Sequence, residues 1–167
     1  MSNPTTTHPL NGKWDLYYHL PNDSSWNLSS YKIIMKDISS VEDVVSLNKS
    51  IHESIIKNTM LFVMKSGITP MWEDEKNRNG GCFSFKVLNK QVNSIWKQLF
   101  CALCGETLCV DKKHNEFING ITISPKKHFC IIKVWLSTLE LQDPDCLITI
   151  PDLHKQGCIF KKHEPES

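Results

Sequence analysis

The stretch Gly67-Ile68-Thr69-Pro70-Met71-Trp72-Glu73-Asp74-Glu75-Lys76-Asn77-Arg78-Asn79-Gly80-Gly81 joins a tryptophan to a run of carboxylates. A proline near its start and paired glycines at its end are typical of a loop between two regular elements. A tryptophan between Pro-Met and a run of charged residues is also unlike a core tryptophan. We therefore predict that this segment is an exposed ligand-binding loop.

Trp72 and Glu73 together indicate what kind of ligand the loop binds. The face of an indole carries negative potential that attracts cations, and a carboxylate offers two acceptor oxygens. These groups suit a flat, cationic ring with paired N–H donors, such as guanine methylated at N7. The alternative interpretations are a core tryptophan and a solvated run of charges, and the polar surroundings of Trp72 disfavour the first.

The rest of the chain predicts strands mixed with a few helices. Apolar and polar residues alternate over residues 13–20, which predicts a strand with Trp14 on its apolar face and His19 on its polar face. The residues from Asp143 to Gln156 stay ambiguous because Pro151 interrupts them. The other predicted elements are a strand at 31–38, a helix from Ser40 to about Asn58, paired strands at 59–65 and 82–89, a helix over 92–103 that includes Trp96, a hairpin of 120–124 with 129–141, and a last strand at 158–162.

Length and composition predict a single globular domain. The chain has 167 residues, of which 40% are hydrophobic, and we expect disordered ends at residues 1–7 and 163–167. It contains no apolar run long enough for a signal peptide or a membrane span. Its seven cysteines are scattered without the dense framework of a secreted scaffold, so we expect reduced thiols and a cytoplasmic location.

The charge balance limits how the chain could bind nucleic acid. A formal net charge of +1 argues against broad, sequence-independent binding to a phosphate backbone. Arg78 is the single arginine in the sequence, so phosphate contacts would depend mainly on lysines. We therefore expect any contact with RNA to be local.

The sequence resembles the mRNA cap-binding translation initiation factors of the 4E family over about residues 8 to 136. The motifs that carry the resemblance occur in the family's order and at similar spacings: they are His8-Pro9-Leu10, Trp14, Trp26, Val41-Glu42-Asp43, Trp72-Glu73, Trp96, Gly105-Glu106 and Trp135. The resemblance implies an α+β fold, a curved antiparallel sheet with about three helices on its convex face and the ligand in its concave mouth.

The resemblance also implies roles for individual residues in binding the cap base. Trp26 and Trp72 would sandwich the methylated base, Glu73 would hold its edge, and Trp135 would touch the N7 methyl group. From the residues alone, Trp26 could instead cap a sheet edge, and Trp135 could belong to the core. The next acidic residues, Asp74 or Glu75, would pin the loop through backbone contacts or Lys76.

The cap phosphates require cations near the pocket mouth. The candidates lie on the predicted hairpin turn and the strand after it, and they are Lys126, Lys127, His128 and Lys133. A solvated turn is the alternative. An ungapped alignment places Lys126 where the family has a phosphate-binding arginine and Ile131 where it has a lysine, so we expect Lys133 to substitute. We expect the flexible C-terminal loop with which the family covers the phosphates to be shortened or absent.

The partners implied by the resemblance are capped mRNA and the scaffold 4G or 4E-binding repressors, with no membrane and a monomeric chain. The corresponding convex-side residues are Pro9, Val41, Val45, Lys97, Gln98, Cys101 and Gly105. Val45 stands where the family has an anchoring tryptophan, which predicts weakened scaffold binding. A cap-sequestering regulator that does not bind the usual scaffold is therefore an alternative function.

Two other functional classes are compatible with parts of the sequence. Cys101 and Cys104, with Cys109 and His114, have ligand types that suit zinc, although a helix position suits buried thiols as well. The carboxylates at 73–75 could hold a metal in a nucleotide or cap hydrolase. No phosphate-cradling glycine loop or His-Glu metal motif supports this, so we expect a non-enzymatic protein without a cofactor.

Overall fold

A computed structural model describes residues 7–165 as one antiparallel sheet covered by helices. The seven strands run in the order β2-β1-β3-β5-β6-β4-β7. The element bounds are β1 Pro9–His19, β2 Tyr31–Ser40, α1 Val41–Ser50, α2 Glu53–Asn58, β3 Met60–Lys65, β4 Gly81–Leu88, α3 Asn89–Cys104, β5 Ile118–Pro125, β6 Phe129–Leu136 and β7 Ile159–Lys162. The predicted α+β class, with a curved antiparallel sheet and three helices, is confirmed. Within residues 7–165, no helix has both the length and the apolarity to cross a membrane.

The two faces of the sheet have different environments. Strand residues on one face pack with the apolar stripe of α3 into the main core, in which Trp14 and Trp96 are each only 1% exposed, as predicted. The opposite face carries the alternating residues, which include Thr122 and Lys133, directly paired across β5 and β6. This opposite face is the concave side, where the cavities described below lie.

The second half of strand β1, from Trp14 to His19, is buried on both faces, which period-two alternation did not predict. Asp15 and His19, on the face expected to be polar, are 3% and 0% exposed. The Asp15 carboxylate accepts hydrogen bonds from the Asp37 N–H (2.9 Å) and the Ser66 hydroxyl (2.8 Å). Polar groups can be buried when such partners exist, so a polar face need not be a solvent face.

The helix predicted from Ser40 to Asn58 is two helices. The Ser40 hydroxyl accepts from the Asp43 N–H at 3.1 Å, so the predicted N-cap is confirmed. Helix α1 nevertheless ends at Ser50, and His52 starts α2 by accepting from the Ser54 N–H through Nδ1 at 3.1 Å. A second capping side chain inside the predicted helix therefore restarts it.

The predicted pairing of β3 with β4 is wrong. Strand β3 lies between β1 and β5, and β4 lies between β6 and β7, so the hairpin of β5 and β6 separates them. Gly120 permits this arrangement, because a Cβ atom there would collide with the carbonyl oxygen of Val63 on β3. The segment that follows β3 therefore crosses the sheet end to reach β4.

The later elements agree with the sequence pattern except at their ends. The β5–β6 hairpin and the last strand β7 are confirmed, but β6 stops at Leu136, five residues before the predicted end. The ambiguous stretch 143–156 contains one 3-10 turn, Pro144–Cys146. Of the ends expected to be disordered, residues 1–6 and 166–167 lie outside the described residues. His163 is buried, so our prediction placed the start of the C-terminal disorder too early.

Candidate functional site

The Trp72 loop is organised around Asn77, whose side chain is fully buried. Its Nδ2 donates to the carbonyl oxygens of Thr69 and Met71, both at 2.9 Å. Its Oδ1 accepts from Nδ2 of Asn119 on β5 at 2.9 Å. Asn77 therefore supplies the partners that backbone carbonyls need when they fold away from water, and it ties the loop to the sheet. The structural role of Asn77 was not predicted, because an asparagine within a charged run predicts an exposed turn.

Asp74 fixes the other side of the loop, as predicted. Its Oδ2 accepts from the N–H and the hydroxyl of Thr69 at 2.7 and 2.9 Å, and its Oδ1 accepts from the Lys76 N–H at 2.8 Å. Burial acts to raise the pKa of Asp74, but these hydrogen bonds outweigh it and hold that pKa below its usual range. Asp74 is thus engaged within the loop, whereas the neighbouring Glu73 and Glu75 carboxylates are exposed.

The loop forms one wall of a concave-side cavity of about 430 Å³. The lining residues come from the Trp26 loop, the Trp72 loop and four strands, and they are Trp26, Tyr31, Met60, Phe62, Pro70, Met71, Trp72, Glu73, Thr122, Ser124, Lys133 and Trp135. The four residues predicted to bind the base are all among them. Burial, together with the nearby Glu73 carboxylate, raises the pKa of Tyr31 to about 12. Glu73 therefore faces an aromatic wall.

A histidine ring stacks on each of the two tryptophans that are predicted to sandwich the base. The Trp26 indole lies nearly parallel to His19, with ring centroids 4.0 Å apart and planes 10° apart. Trp26 is still 51% exposed, so its other face is open. The Trp72 indole stacks with His163 at 5.8 Å and 18°. A histidine thus lies against one side of each indole, and both indoles also line the cavity.

His163 connects the Trp72 loop to the pocket floor. Its Nδ1–H donates to the Asn77 carbonyl oxygen at 2.7 Å, and its ring also contacts Trp135 at 4.9 Å. Burial lowers the pKa of His163; the Asn77 hydrogen bond opposes this shift and the Lys133 charge adds to it. The ring is therefore neutral near neutral pH. No sequence signal identified this residue, because its partner Asn77 is 86 residues away.

Trp135 is buried and also lines the cavity. The two alternatives for it, a core residue and a pocket residue, are therefore compatible. It is 5% exposed and packs with Met64, Ile68 and Cys82 in a small cluster separate from the main core. Its Nε1–H donates to the Thr122 hydroxyl at 3.2 Å, which fixes the indole plane. A rigid apolar surface thus closes the inner end of the cavity.

A second cavity of about 360 Å³ adjoins the first and shares Ser124 and Lys133 with it. Its lining holds three lysines, Lys126, Lys133 and Lys161, and no acidic side chain. Lys161 was not among the predicted phosphate-binding residues, although it lies in the predicted last strand. Burial raises the pKa of Cys82 in this lining, and Lys133 and Lys161 oppose the shift, so both ammonium groups lie close to it.

Two of the predicted phosphate-binding residues do not join this cavity. Lys127 and His128 are exposed on the turn between β5 and β6, and neither lines the two cavities. Lys126, on the same turn, does line the second cavity. The structure thus gathers two of the four predicted cations and adds a third from β7.

The predicted partner residues fall mainly into a groove of about 700 Å³ on the helix side. Val45, Lys97, Gln98 and Cys101 line it, together with the segment 148–150. Val41 is 44% exposed on α1 next to the groove, and Pro9 pairs with Ser40 at the start of that helix. Gly105 lies apart from the groove, in a cavity with Asn11 and Glu106.

The alternative sites do not assemble in the described part of the chain. Cys104 and Cys109 belong to the main core, where burial raises the pKa of both thiols, and Cys101 accepts from Asn48 Nδ2 at 3.2 Å. Residues 7–165 contain no group of three His, Cys, Asp or Glu side chains placed to hold a metal ion. The carboxylates at 73–75 therefore form no such group, and Asp74 is already bonded within the loop.

Comparison with known proteins identifies the family. The model of eukaryotic initiation factor 4E matches residues 9–157. Eukaryotic translation initiation factor 4E of Eremothecium gossypii is 31% identical over 162 residues, which cover 92% of this chain and 70% of that protein. The Saccharomyces cerevisiae factor is 30% identical over 155 residues, which cover 89% and 70%.

Solved structures that are similar to this chain lead to the same family. Caenorhabditis elegans eIF4E-3, in complex with the 4E-binding protein Mextli and a cap analog, superimposes with a TM-score of 0.73 at 25% identity, covering 84% of this chain and 80% of that one. Ascaris suum eIF4E-3 in complex with the m7G cap gives 0.71 at 26% identity, covering 81% and 77%. The chain belongs to the eukaryotic initiation factor 4E family.

Proposed function

We propose that this chain binds the N7-methylguanosine cap of mRNA, without catalysis, and acts in translation initiation in the cytoplasm. The observation that carries the proposal is the continuity of the two concave cavities, one walled by Trp26, Trp72 and Glu73 and the other by three lysines. A methylated base with an attached phosphate chain requires both environments side by side. The solved relative from Ascaris suum contains an m7G cap.

The base pocket distinguishes a cationic base from a neutral one. The open sides of Trp26 and Trp72 present negative ring potential, which attracts the positive charge that N7 methylation creates. The Glu73 carboxylate accepts the ring N–H and the exocyclic amino group of the same base. Trp135, held by Thr122, offers an apolar surface for the methyl group. Unmethylated guanine lacks the charge and the methyl contact, so it should bind more weakly.

The phosphate contacts are needed to reach useful affinity. Stacking contributes roughly 1–3 kcal/mol, a cation–π contact about 2 and a bidentate edge contact roughly 1–3. Micromolar binding requires about 8 kcal/mol after ordering costs. Lys126, Lys133 and Lys161 supply the remainder, as point charges around the phosphate chain.

The test is a tryptophan-fluorescence titration with N7-methylated GTP and with unmethylated GTP. We expect the methylated nucleotide to bind wild type at least tenfold more tightly, and Glu73→Gln to lose about 1–3 kcal/mol of binding. Glu75→Gln is the matched control, because Glu75 is an exposed carboxylate in the same loop that lies outside the pocket lining. Equal affinity for both nucleotides, or equal effects of the two substitutions, would overturn the proposal.

The helix-side groove supports a second role, that of binding a helical 4E-binding protein or the scaffold 4G. Apolar Val45, Ala102 and Ile148 line it beside polar Asn48, Lys97 and Gln98. An amphipathic helix fits such a groove, and the C. elegans relative was solved with a 4E-binding protein. Because valine replaces the anchoring tryptophan at 45, affinity should be reduced by about 2 kcal/mol. Calorimetry with a Tyr-x-x-x-x-Leu peptide tests this, and nanomolar binding would refute the reduction.

A further inference from the structure

His19, at the end of β1, has both ring nitrogens against backbone carbonyl oxygens. Nδ1 lies 2.9 Å from the Leu20 oxygen, and Nε2 lies 2.8 Å from the Ser25 oxygen. The side chain is fully buried and stacks on Trp26. Leu20 and Ser25 begin and end the turn that leads into Trp26, so one imidazole contacts both ends of that turn.

Both carbonyl contacts can be hydrogen bonds only if both ring nitrogens of His19 carry a proton. A carbonyl oxygen only accepts hydrogen bonds, and a neutral imidazole has a single N–H. The one hydroxyl nearby does not resolve the conflict: Ser30 Oγ is 3.1 Å from Nε2 but donates its own proton to the Asn27 oxygen at 2.7 Å. With a neutral ring, a nitrogen lone pair would face a carbonyl lone pair in a buried site, which is unfavourable.

We propose that His19 is a positioning residue for the cap pocket: its doubly protonated ring ties both ends of the 20–25 turn to β1 and holds Trp26 with its free face toward the base. This inference rests on the proposed function, since Trp26 matters as a stacking surface. Histidine differs here from a neutral aromatic residue, which could stack on Trp26 but could not bind the two carbonyls.

The groups that face His19 come from the loop and from strands β2 and β3. From the loop, the Asp23 carboxylate faces it, held by the N–H and hydroxyl of Ser25 at 2.9 and 2.6 Å. These hydrogen bonds lower the pKa of Asp23, and the His19 charge lowers it further. From β2, Tyr31 meets the ring edge-on at 5.3 Å, and from β3, uncharged Met60 is the paired residue. Lys32, whose charge also acts on Asp23, donates to the Ser29 oxygen.

The direction of the pH effect follows from these contacts. The charged ring also attracts the Trp26 face. It repels a cationic base stacked on Trp26, but Trp26 is half exposed and the exposed Glu73 carboxylate lines the same cavity, so solvent and Glu73 weaken this repulsion. The hydrogen bonds of His19 are buried and unscreened. Loss of one ring proton therefore breaks a contact with one of the two carbonyls and loosens the turn, so cap affinity should fall as the pH rises.

The first experiment uses the free wild-type protein. Proton–nitrogen correlation spectra of the His19 ring, recorded between about pH 6 and about pH 8, report how many ring nitrogens carry protons. We expect both to be protonated at the lower end, and the accessibility of Trp26 to acrylamide to increase when one proton is lost. A ring with a single proton throughout this range would overturn the proposal, with or without cap binding. The Trp26→Phe protein identifies the Trp26 signal.

The second experiment compares cap affinity in wild type and His19→Phe across the same range. Phenylalanine retains a stacking ring without titrating, so the ratio of the two profiles removes the titration of the nucleotide and of Glu73. We expect wild type to lose affinity about fivefold relative to the variant as His19 deprotonates, since one hydrogen bond is lost. Parallel profiles would overturn the proposal. Absence of methyl-dependent binding at every pH would refute the proposed function instead, and the spectra of the free protein would still decide the role of His19.

Discussion

Replacement of Asn77 by alanine should disrupt the Trp72 loop. The side chain makes three hydrogen bonds of 2.9 Å, to the Thr69 and Met71 carbonyls and from Asn119. Each is worth about 1 kcal/mol net, and the partners left behind are buried, so the expected loss is about 3 kcal/mol. That corresponds to a roughly hundredfold shift of the loop toward open conformations.

Two assays measure this effect. Urea unfolding should show a lower midpoint for Asn77→Ala, and titration with a cap analogue should show weaker binding, because Trp72 and Glu73 are carried by the same loop. Asn79→Ala is the matched control, since Asn79 is an exposed asparagine two residues away, and it should stay within about 0.5 kcal/mol of wild type. The reasoning is refuted if Asn77→Ala unfolds and binds as Asn79→Ala does.

Three further predictions follow from the cavities and from His163. Lys161→Ala should weaken cap binding and reduce the slope of log affinity against log salt by about 0.7, whereas Lys127→Ala should leave both unchanged in the same titration. Val45→Trp should restore the missing anchor and tighten a 4E-binding peptide by about 2 kcal/mol in calorimetry; an unchanged affinity would place the anchor elsewhere. Because burial lowers the native pKa of His163, the unfolded state binds more protons, so stability is full above about pH 6.5 and falls as the pH drops below it. Denaturation of His163→Gln across this range should show a shallower fall.

The parts of the site that the sequence predicted are those that depend on neighbouring residues. Trp72 and Glu73 are adjacent on one loop, and the hydrogen-bond partners of Asp74 lie within five residues of it in the sequence. The local sequence was therefore sufficient to predict their positions. The family resemblance supplied Trp26 and Trp135, whose distance along the chain gives no local signal. All four predicted base-binding residues line one cavity.

The parts that were missed or wrong depend on contacts between distant segments. A period-two pattern shows that β3 and β4 are strands but not which strands lie beside them, so their predicted pairing failed. His19 looked like a solvent-facing residue because the alternation pattern does not include the loop that covers it. His163 was expected to be disordered, yet its partners lie on the Trp72 loop and on β6.

The short strand β7 and the residue just beyond it contribute to both cavities. It has four residues, lies at the sheet edge and pairs only with β4 among the described strands. Lys161 on this strand lines the lysine cavity, and His163 just beyond it stacks with Trp72. Fraying of one edge strand would therefore remove the proposed phosphate contact of Lys161 and the stacking support of Trp72 in the same event. The lifetime of the bound cap should be set by how often β7 detaches. Any change that slows amide hydrogen exchange in β7 should therefore slow ligand dissociation as well.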